Sequence, residues 1–376
     1  MSSCLSRRSL VAGMAIAPWL FGQAAGAPQG NGEKKPCTTG RTLDLHIHLF
    51  GTGDSGSGCR LSRKITEGSL FKRMAPKLRR QGTTLDEGYV LAMAGQLQRS
   101  GLDKGLILAQ DAVYGRNGKP DWQNTHFYVP NDHVFAVVRR YPQWMIPCVS
   151  INPDRPDALA ELDRCIGLGA RAVKIHPPTQ GVDLADRKHA EFFRRCADRK
   201  VLVMVHTGHE HSAPVLDVRL GSPLKLRLAL EEGCTVVACH CGTGWPLYDR
   251  PDMLPDFLRM IRKHPNLWGD TSVLGTAPRV VDFLRLLADA GAAERLLHGS
   301  DFPFPCVPLA FAPVIGLSRA VQLQIIQNRL EQDLALKHAL GVGLESARRA
   351  YRLIYRHEGT ISPADIRPIP GAQSVS

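Results

Sequence analysis

Short apolar runs alternate with helix-like segments along nearly the whole of this 376-residue chain. Eight runs read as strands: TLDLHIHL (42–49), KGLILA (104–109), WMIPCVSI (144–151), ARAVKIH (170–176), VLVMVHT (201–207), CTVVACH (234–240), NLWGDTS (266–272) and RLLHGSD (295–301). Segments with helical spacing lie between them, such as LDEGYVLAMAGQLQRSG, DALAELDRCIGLG, KHAEFFRRCADRK and VDFLRLLADAG. Several stop at a glycine just before the next strand, a common C-cap position. Eight strands and their helices between residues 42 and 301 suit an α/β fold, the (β/α)8 TIM barrel of roughly 250 residues. A doubly wound open sheet is the rival. Two stretches exceed ordinary connections, 50–82 after the first strand and 110–133 after the second. Long loops after strands lie at the C-terminal face of a barrel, where its enzymes keep their sites. Extra C-terminal helices are expected over 316–357, so the barrel domain runs from 42 to 357, with a linker at 28–41 and a disordered tail at 358–376.

The first 27 residues are set apart from that domain. SRRSLVAGMAIAPWLFGQAAGA has paired arginines (Arg7, Arg8), an apolar run too short for a membrane span, and then small residues. That order reads as a signal peptide of the twin-arginine type over 1–27. It predicts the export machinery as a partner, a periplasmic location, and passage in the folded state with any metal already loaded.

Composition narrows the partners. The formal charge is +12 and falls to +10 without Arg7 and Arg8, so the surface favours an anionic small-molecule substrate. The charges are dispersed and aromatics make up only 6% of residues, which argues against nucleic acid. RRAYRLIYR at 348–356 has the spacing of a solvated helix face. Nine cysteines remain after Cys4 is removed with the signal, without disulfide spacing or a CxxC pair. Most are expected to pack as small hydrophobes; export would permit a bridge such as Cys37 to Cys59. A homo-oligomer stays open.

Chemistry collects at the strand ends. Side chains alternate across a strand, so His46 and His48 point the same way, and two neutral imidazoles on one side can hold a divalent metal. Alone, such a pair is a weak signal. Lys174 and His176, however, end the fourth strand, His206 the fifth, His240 the sixth and Asp301 the eighth. Polar groups at the ends of otherwise apolar runs are costly unless they are satisfied or used, and barrel strand ends are where catalytic groups gather.

These pieces, DLHIHLF, ARAVKIHPP, VLVMVHTG, SPLKLRLALEEGCTVVACHCG and LLHGSDFPF, resemble the amidohydrolase superfamily, in particular its amidohydrolase-related (amidohydrolase 2) branch. The resemblance covers residues 43–304 in the family's order, and the set is specific where each piece alone is not. It implies a TIM barrel with one or two divalent ions at its mouth, zinc expected and manganese the alternative. It makes His46, His48, His206 and Asp301 metal ligands. His240 becomes a ligand of a second metal or, with one metal, the group that polarises the substrate carbonyl. Lys174 is either carbamylated to bridge two ions or a plain lysine facing substrate.

The reaction implied is hydrolysis at a carbonyl carbon of an amide, lactone or ester. A metal lowers the pKa of bound water from about 15.7 toward about 7, Asp301 accepts and returns the proton, and His240 or a second ion stabilises the oxyanion. Members of the same branch also decarboxylate aromatic acids or hydrate double bonds, so a non-oxidative decarboxylase or hydratase of a small carboxylic acid is the alternative. A non-catalytic periplasmic metal- or ligand-binding barrel is a third reading.

Weaker substrate candidates are Arg60 and Arg116 in the two long loops, which suit a carboxylate, with His176, His209 and Asp270. The loop carrying His209, Glu210 and His211 is expected to be hydrated. Asp270 and Ser272 face one way, to orient substrate or to satisfy backbone groups. Gly51, Gly53 and Gly56 have the G-x-G-x-x-G spacing of a dinucleotide turn. They run on as SGSGCRLSRK, with no acid-terminated strand about twenty residues later, so no nucleotide is expected. The stretch GTGDSGSG is read instead as a mobile lid over the metal.

Overall fold

The computed structural model describes residues 41–355. The signal segment at 1–27, the linker up to residue 40 and the tail at 358–376 lie outside the described residues.

Each apolar run contributes one strand: β1 Leu43–His48, β2 Lys104–Leu108, β3 Met145–Ser150, β4 Ala172–Ile175, β5 Leu202–His206, β6 Val236–Cys239, β7 Leu267–Asp270 and β8 Leu296–Leu297. They form one parallel sheet in chain order. Its two edges meet. The Leu45 amide donates to His298 O (3.0 Å), the Asp301 amide to His46 O (2.9 Å) and the His48 amide to Phe302 O (3.0 Å). Closure excludes the doubly wound alternative and makes the fold a TIM barrel.

Alternation sorts the side chains. Val173, Ile175, Val203, Val205, Val236 and Ala238 share one buried cluster with helix residues such as Phe192, Phe193 and Phe257. Their neighbours Ala172, Leu202, Met204, Val237 and Cys239 belong to a separate cluster drawn mainly from the strands, which fills the barrel. Ile47 and Leu49 pack with Met93 and Leu97 of the helix Leu85–Gln98, so His46 and His48 occupy the opposite face of β1. Each fully buried aliphatic side chain contributes about 1.5–3 kcal/mol. Four further α-helices follow β8: Ala312–Ile315, Leu317–Gln324, Arg329–Ala339 and Gly343–Tyr355. No described helix is long and apolar enough to cross a membrane. Eight cysteines in the described region are free thiols, and all are buried.

The two long loops are not structureless. The first holds the helices Arg63–Thr66 and Ser69–Arg79, and its Arg60–Leu61 pairs antiparallel with Phe127–Tyr128 of the second. The glycine-rich stretch differs from the lid expected of it. It wraps the carboxylate of Asp86, which is 1% exposed and sits in the first turn of Leu85–Gln98. Oδ1 of Asp86 accepts the Thr52 amide (2.5 Å), while Oδ2 accepts the Gly53 amide (3.1 Å) and the hydroxyls of Ser55 (3.0 Å) and Ser57 (2.6 Å). Asp54 returns the favour by accepting the Leu85 amide at 2.8 Å. Gly53, at φ +86°, has no room for a side chain, since a Cβ there would come within 2.5 Å of Cys59 O. Burial pushes the Asp86 carboxyl up, but these donors outweigh it and the net shift is downward.

Asp86→Asn removes the charge these donors share. It is expected to lower stability by about 1.5–3 kcal/mol, the scale of hydrogen bonds to a charged group, measured by urea unfolding. A loss under about 0.5 kcal/mol would mean that the loop holds its shape without the carboxylate.

Candidate metal centre at the barrel mouth

Closure of the barrel also builds the site. The bond from the Asp301 amide to His46 O lays the chain after β8 beside β1, and Asp301 takes a left-handed backbone (φ +64°). Its Oδ1 lies 3.2 Å from His46 Nε2 and 3.2 Å from His48 Nε2. No hydrogen bond reaches that oxygen among the described residues, although it is buried. Three potential ligand atoms thus converge within 4.8 Å of one another. An orphaned buried carboxylate oxygen costs about 1–3 kcal/mol or more unless something cationic takes it up. Edges of 3.2 Å match the spacing of about 3.3 Å between ligand atoms held about 2.0–2.1 Å from a tetrahedral ion. The donor set fits a divalent metal.

Asp270 orients this group. Its Oδ2 accepts from His46 Nδ1 at 2.8 Å, which fixes the proton on Nδ1 and leaves Nε2 as the ligand atom. Its Oδ1 accepts the amides of His240 (2.8 Å) and Ser272 (3.1 Å) and the Ser272 hydroxyl. Both oxygens are therefore engaged by the protein, and the substrate contact expected of Asp270 gives way to a positioning one. Burial pushes the Asp270 carboxyl up, but its electrostatic interaction and hydrogen bond with the His46 ring hold it well below the usual range.

His240 follows Cys239, which lies on the inner face of β6, so strict alternation would turn it outward. Left-handed backbone at His240 (φ +63°) and Cys241 (φ +55°) swings the ring in, 5.1 Å from His46 and 4.7 Å from His206 between centroids. His240 Nδ1 faces the acceptor-only Ser272 carbonyl (3.2 Å) and the Ser272 hydroxyl (2.8 Å). Nδ1 therefore carries the proton and Nε2 the lone pair. Burial lowers the pKa of His240 to about 3 and that of His46 to about 4, so both imidazoles are neutral at physiological pH. Burial raises the Asp301 carboxyl, but His46, His48 and His240 outweigh it and keep it ionised. Lys174 is fully buried, with Nζ 3.2 Å from His46 Nε2.

The other expected residues divide. His206 is not in the first ligand group; it stacks on His176 with centroids 3.9 Å apart and joins it and Glu210 in a second. His209 is buried with Nε2 at 2.9 Å from Pro251 O, and His211 stacks on Trp245 at 4.1 Å. The loop expected to be hydrated is so at His211 and Ser212, which are exposed, while His209 is buried and Glu210 is turned inward with Oε1 accepting from Ser212 and Ala213. Arg60 lies over the Trp122 ring at 4.3 Å and is exposed, as is Arg116, so neither sits among the strand-end groups. The ladder beside Arg60 does reach the site, since Phe127 lies 6.3 Å from His48. Sequence reasoning missed Arg279, which is 5% exposed beyond β7 and donates to Thr243 Oγ1 (2.5 Å) and His209 O (2.9 Å), both neutral. A lone arginine in a connection carries no periodic signal.

The family model described as Amidohydrolase matches residues 43–340. No curated protein matches the sequence. Among solved structures, an uncharacterized TIM-barrel protein of Bordetella bronchiseptica is 19% identical, with a TM-score of 0.54 over 84% of this chain and 99% of that one. A putative 2-pyrone-4,6-dicarboxylic acid hydrolase of Pseudomonas putida is 20% identical, with a TM-score of 0.47 over 83% and 98%. A 2,6-dihydroxybenzoate decarboxylase is 15% identical, with a TM-score of 0.48 over 84% and 98%. The first of these shares the fold.

Asp270→Asn keeps the size of the side chain and removes its charge. Loss of an orienting partner typically weakens a metal site about 10–100-fold, and a fall of that size in zinc affinity is expected in competition with a chromophoric chelator. Unchanged affinity would show that His46 needs no orienting carboxylate.

Proposed function

The chain belongs to the amidohydrolase family of enzymes, and on that premise we propose that it is a metal-dependent hydrolase acting at the carbonyl carbon of a small-molecule amide, lactone or ester. The observation that carries this reading is the convergence of His46 Nε2, His48 Nε2 and the unpartnered Asp301 Oδ1. These three residues would hold the ion, zinc by its donor set and manganese as the alternative. When bound, a divalent ion supplies Lewis acidity to a carbonyl oxygen and acidifies water.

The rest is done by the chain's own groups. Asp301, ionised against three histidines, takes the proton of the attacking water and returns it to the leaving group. His240, with Nδ1 committed to Ser272, turns Nε2 to the same centre, where its lone pair can accept a hydrogen bond from water or substrate. Lys174, read as a plain lysine, places a donor beside His46 at the same centre. Ser272 and Asp270 keep the two rings in register. Phe127, on the ladder that joins the two long loops, shields the His48 side from water. Arg279, buried near Glu210 and Asp301 and hydrogen-bonded among the described residues to the neutral oxygens of Thr243 and His209, adds a positive charge that favours an anionic substrate.

Metal analysis of protein loaded in vivo, followed by a screen of lactones, esters, amides and aromatic carboxylic acids, tests the proposal. Zinc or manganese should be present and be lost in His48→Ala. Asp301→Asn should lower kcat by about 10²–10⁴-fold. Folded, metal-free protein with full activity would overturn the metal-dependent reading. Release of carbon dioxide from an aromatic acid, without hydrolysis of any ester or lactone, would replace the hydrolase by a decarboxylase.

A further inference from the structure

The exposed apolar surface of this chain is unevenly spread. Of twelve large apolar side chains left exposed among the described residues, five lie within seventeen residues, which marks a patch rather than scattered exposure. They are Leu309 (44% exposed), Val314 (50%), Leu317 (67%), Val321 (45%) and Ile325 (67%). The run that carries them leaves β8 through the turn Pro308–Phe311 and the short helix Ala312–Ile315, and continues in the helix Leu317–Gln324. Gly316, at φ +81°, makes the break between the two helices. The Leu309 amide donates to Gln324 Oε1 at 3.3 Å, which sets the turn beside the far end of the second helix. Leu317, Val321 and Ile325 recur every four residues and share one outward stripe, while Ala320 and Leu323 are buried on the other side. A helix that is apolar on two sides is normally covered on both. Among the described residues this outer stripe is uncovered.

We propose that this face is a self-association surface, on which a second copy of the chain packs the same helix antiparallel about a two-fold axis near Val321. Charge selects the occupant. A two-fold contact sets each charged group near its own copy, so a self-complementary patch has to be nearly free of charge. Charged residues make up 22% of the chain, yet Arg319 is the only one between residues 308 and 328. It stands two positions before Val321, about 200° round the helix, and so lies off the stripe. Over the rest of the surface the net charge of +12 sets like against like when two copies meet. A strongly acidic partner, in turn, finds no countercharge here. The outlying segments of the chain offer no comparable apolar face. Residues 28–40 (PQGNGEKKPCTTG) have no large aliphatic or aromatic side chain, and 356–376 spaces four large aliphatics among three prolines. With the axis at Val321, Leu317 meets the partner subunit's Ile325, and Val314 and Leu309 extend the apolar centre. Exposed Ser318 and Gln322 supply the polar rim of a contact that needs about 800 Å² on each copy.

Sedimentation velocity of the full chain over a wide range of concentration tests the pairing, and nothing in it depends on the proposed function. Wild type should sediment as a dimer that dissociates on dilution. Val321→Glu and Val321→Lys should each be monomeric where wild type is paired, because the axis sets two like charges together. An equimolar mixture of the two variants should pair again, a recovery open to a second copy and not to a foreign partner or a tail. Near-UV circular dichroism checks that each variant is folded, and the wild-type result depends on no variant. Wild type that is monomeric at every concentration overturns the proposal, and pairing that appears only when residues 356–376 are deleted overturns it by giving the face to the tail. Dimers that survive both substitutions place the contact on another surface and overturn it too. Monomeric variants that fail to recombine overturn the two-fold pairing at Val321.

Discussion

Everything at the mouth of this barrel is arranged around the carboxylate of Asp270. A buried, ionised carboxylate is tolerated only when its oxygens are filled by donors. Asp270 fills them from β1 through His46, from the turn after β6 through the His240 amide, and from the turn that follows its own strand through Ser272. Satisfying one charge therefore fixes the relative position of three segments far apart in sequence. The same contacts decide which nitrogen of each imidazole bears a proton. His46 presents Nε2 because Nδ1 is committed to Asp270, and His240 presents Nε2 because Nδ1 is committed to Ser272.

A row of rings results: His48, His46, His240, His206 and His176, each within about 4–5 Å of the next between centroids. Five imidazoles so close would repel one another if protonated. Burial is the main influence holding His46, His176, His206 and His240 below the usual histidine range, and neighbouring positive charge adds to it. Neutrality is what lets them crowd, and a neutral imidazole is also the form that binds a metal. The carboxylates that break the row, Asp270, Asp301 and Glu210, remain ionised. The mouth therefore sets three carboxylates and the basic side chains of Lys174 and Arg279 among neutral imidazoles.

Much of this was legible in the sequence, for a physical reason. All eight strands were, because buried strands must be apolar and their polar ends stand out against that background. His46, His48, Lys174 and His206 follow from alternation, which is a property of any extended backbone. His240 and Asp301 were found by their place at a strand end, but alternation does not give their orientation, since both rely on a left-handed residue that no β-propensity foretells. Glu210 was misread because its loop is short and polar, and only the hydrogen bonds to Ser212 and Ala213 turn it inward. Arg60 and Arg116 drew notice as cations in long loops, whereas the buried cation beyond β7 is Arg279. The glycines of GTGDSGSG marked a tight backbone correctly, but the object it encloses, Asp86, lies some thirty residues later.

That last contact has an evolutionary side. Because Asp86 belongs to the helix that leads into β2, the first loop is clamped by the element that follows it, and changes in 51–58 must remain compatible with that helix. The second loop is anchored at its two ends, where Asp111, Ala112, Val113 and Thr125 are buried. It meets the first loop through the two-residue ladder, the Ser62 amide donating to His126 O at 2.9 Å, and the Arg60–Trp122 cation–π contact. Sequence drift that retunes what this barrel admits should therefore accumulate at 116–124, the exposed middle of that loop, and leave the glycine-rich turn nearly unchanged. The mouth has one fixed jaw and one adjustable one.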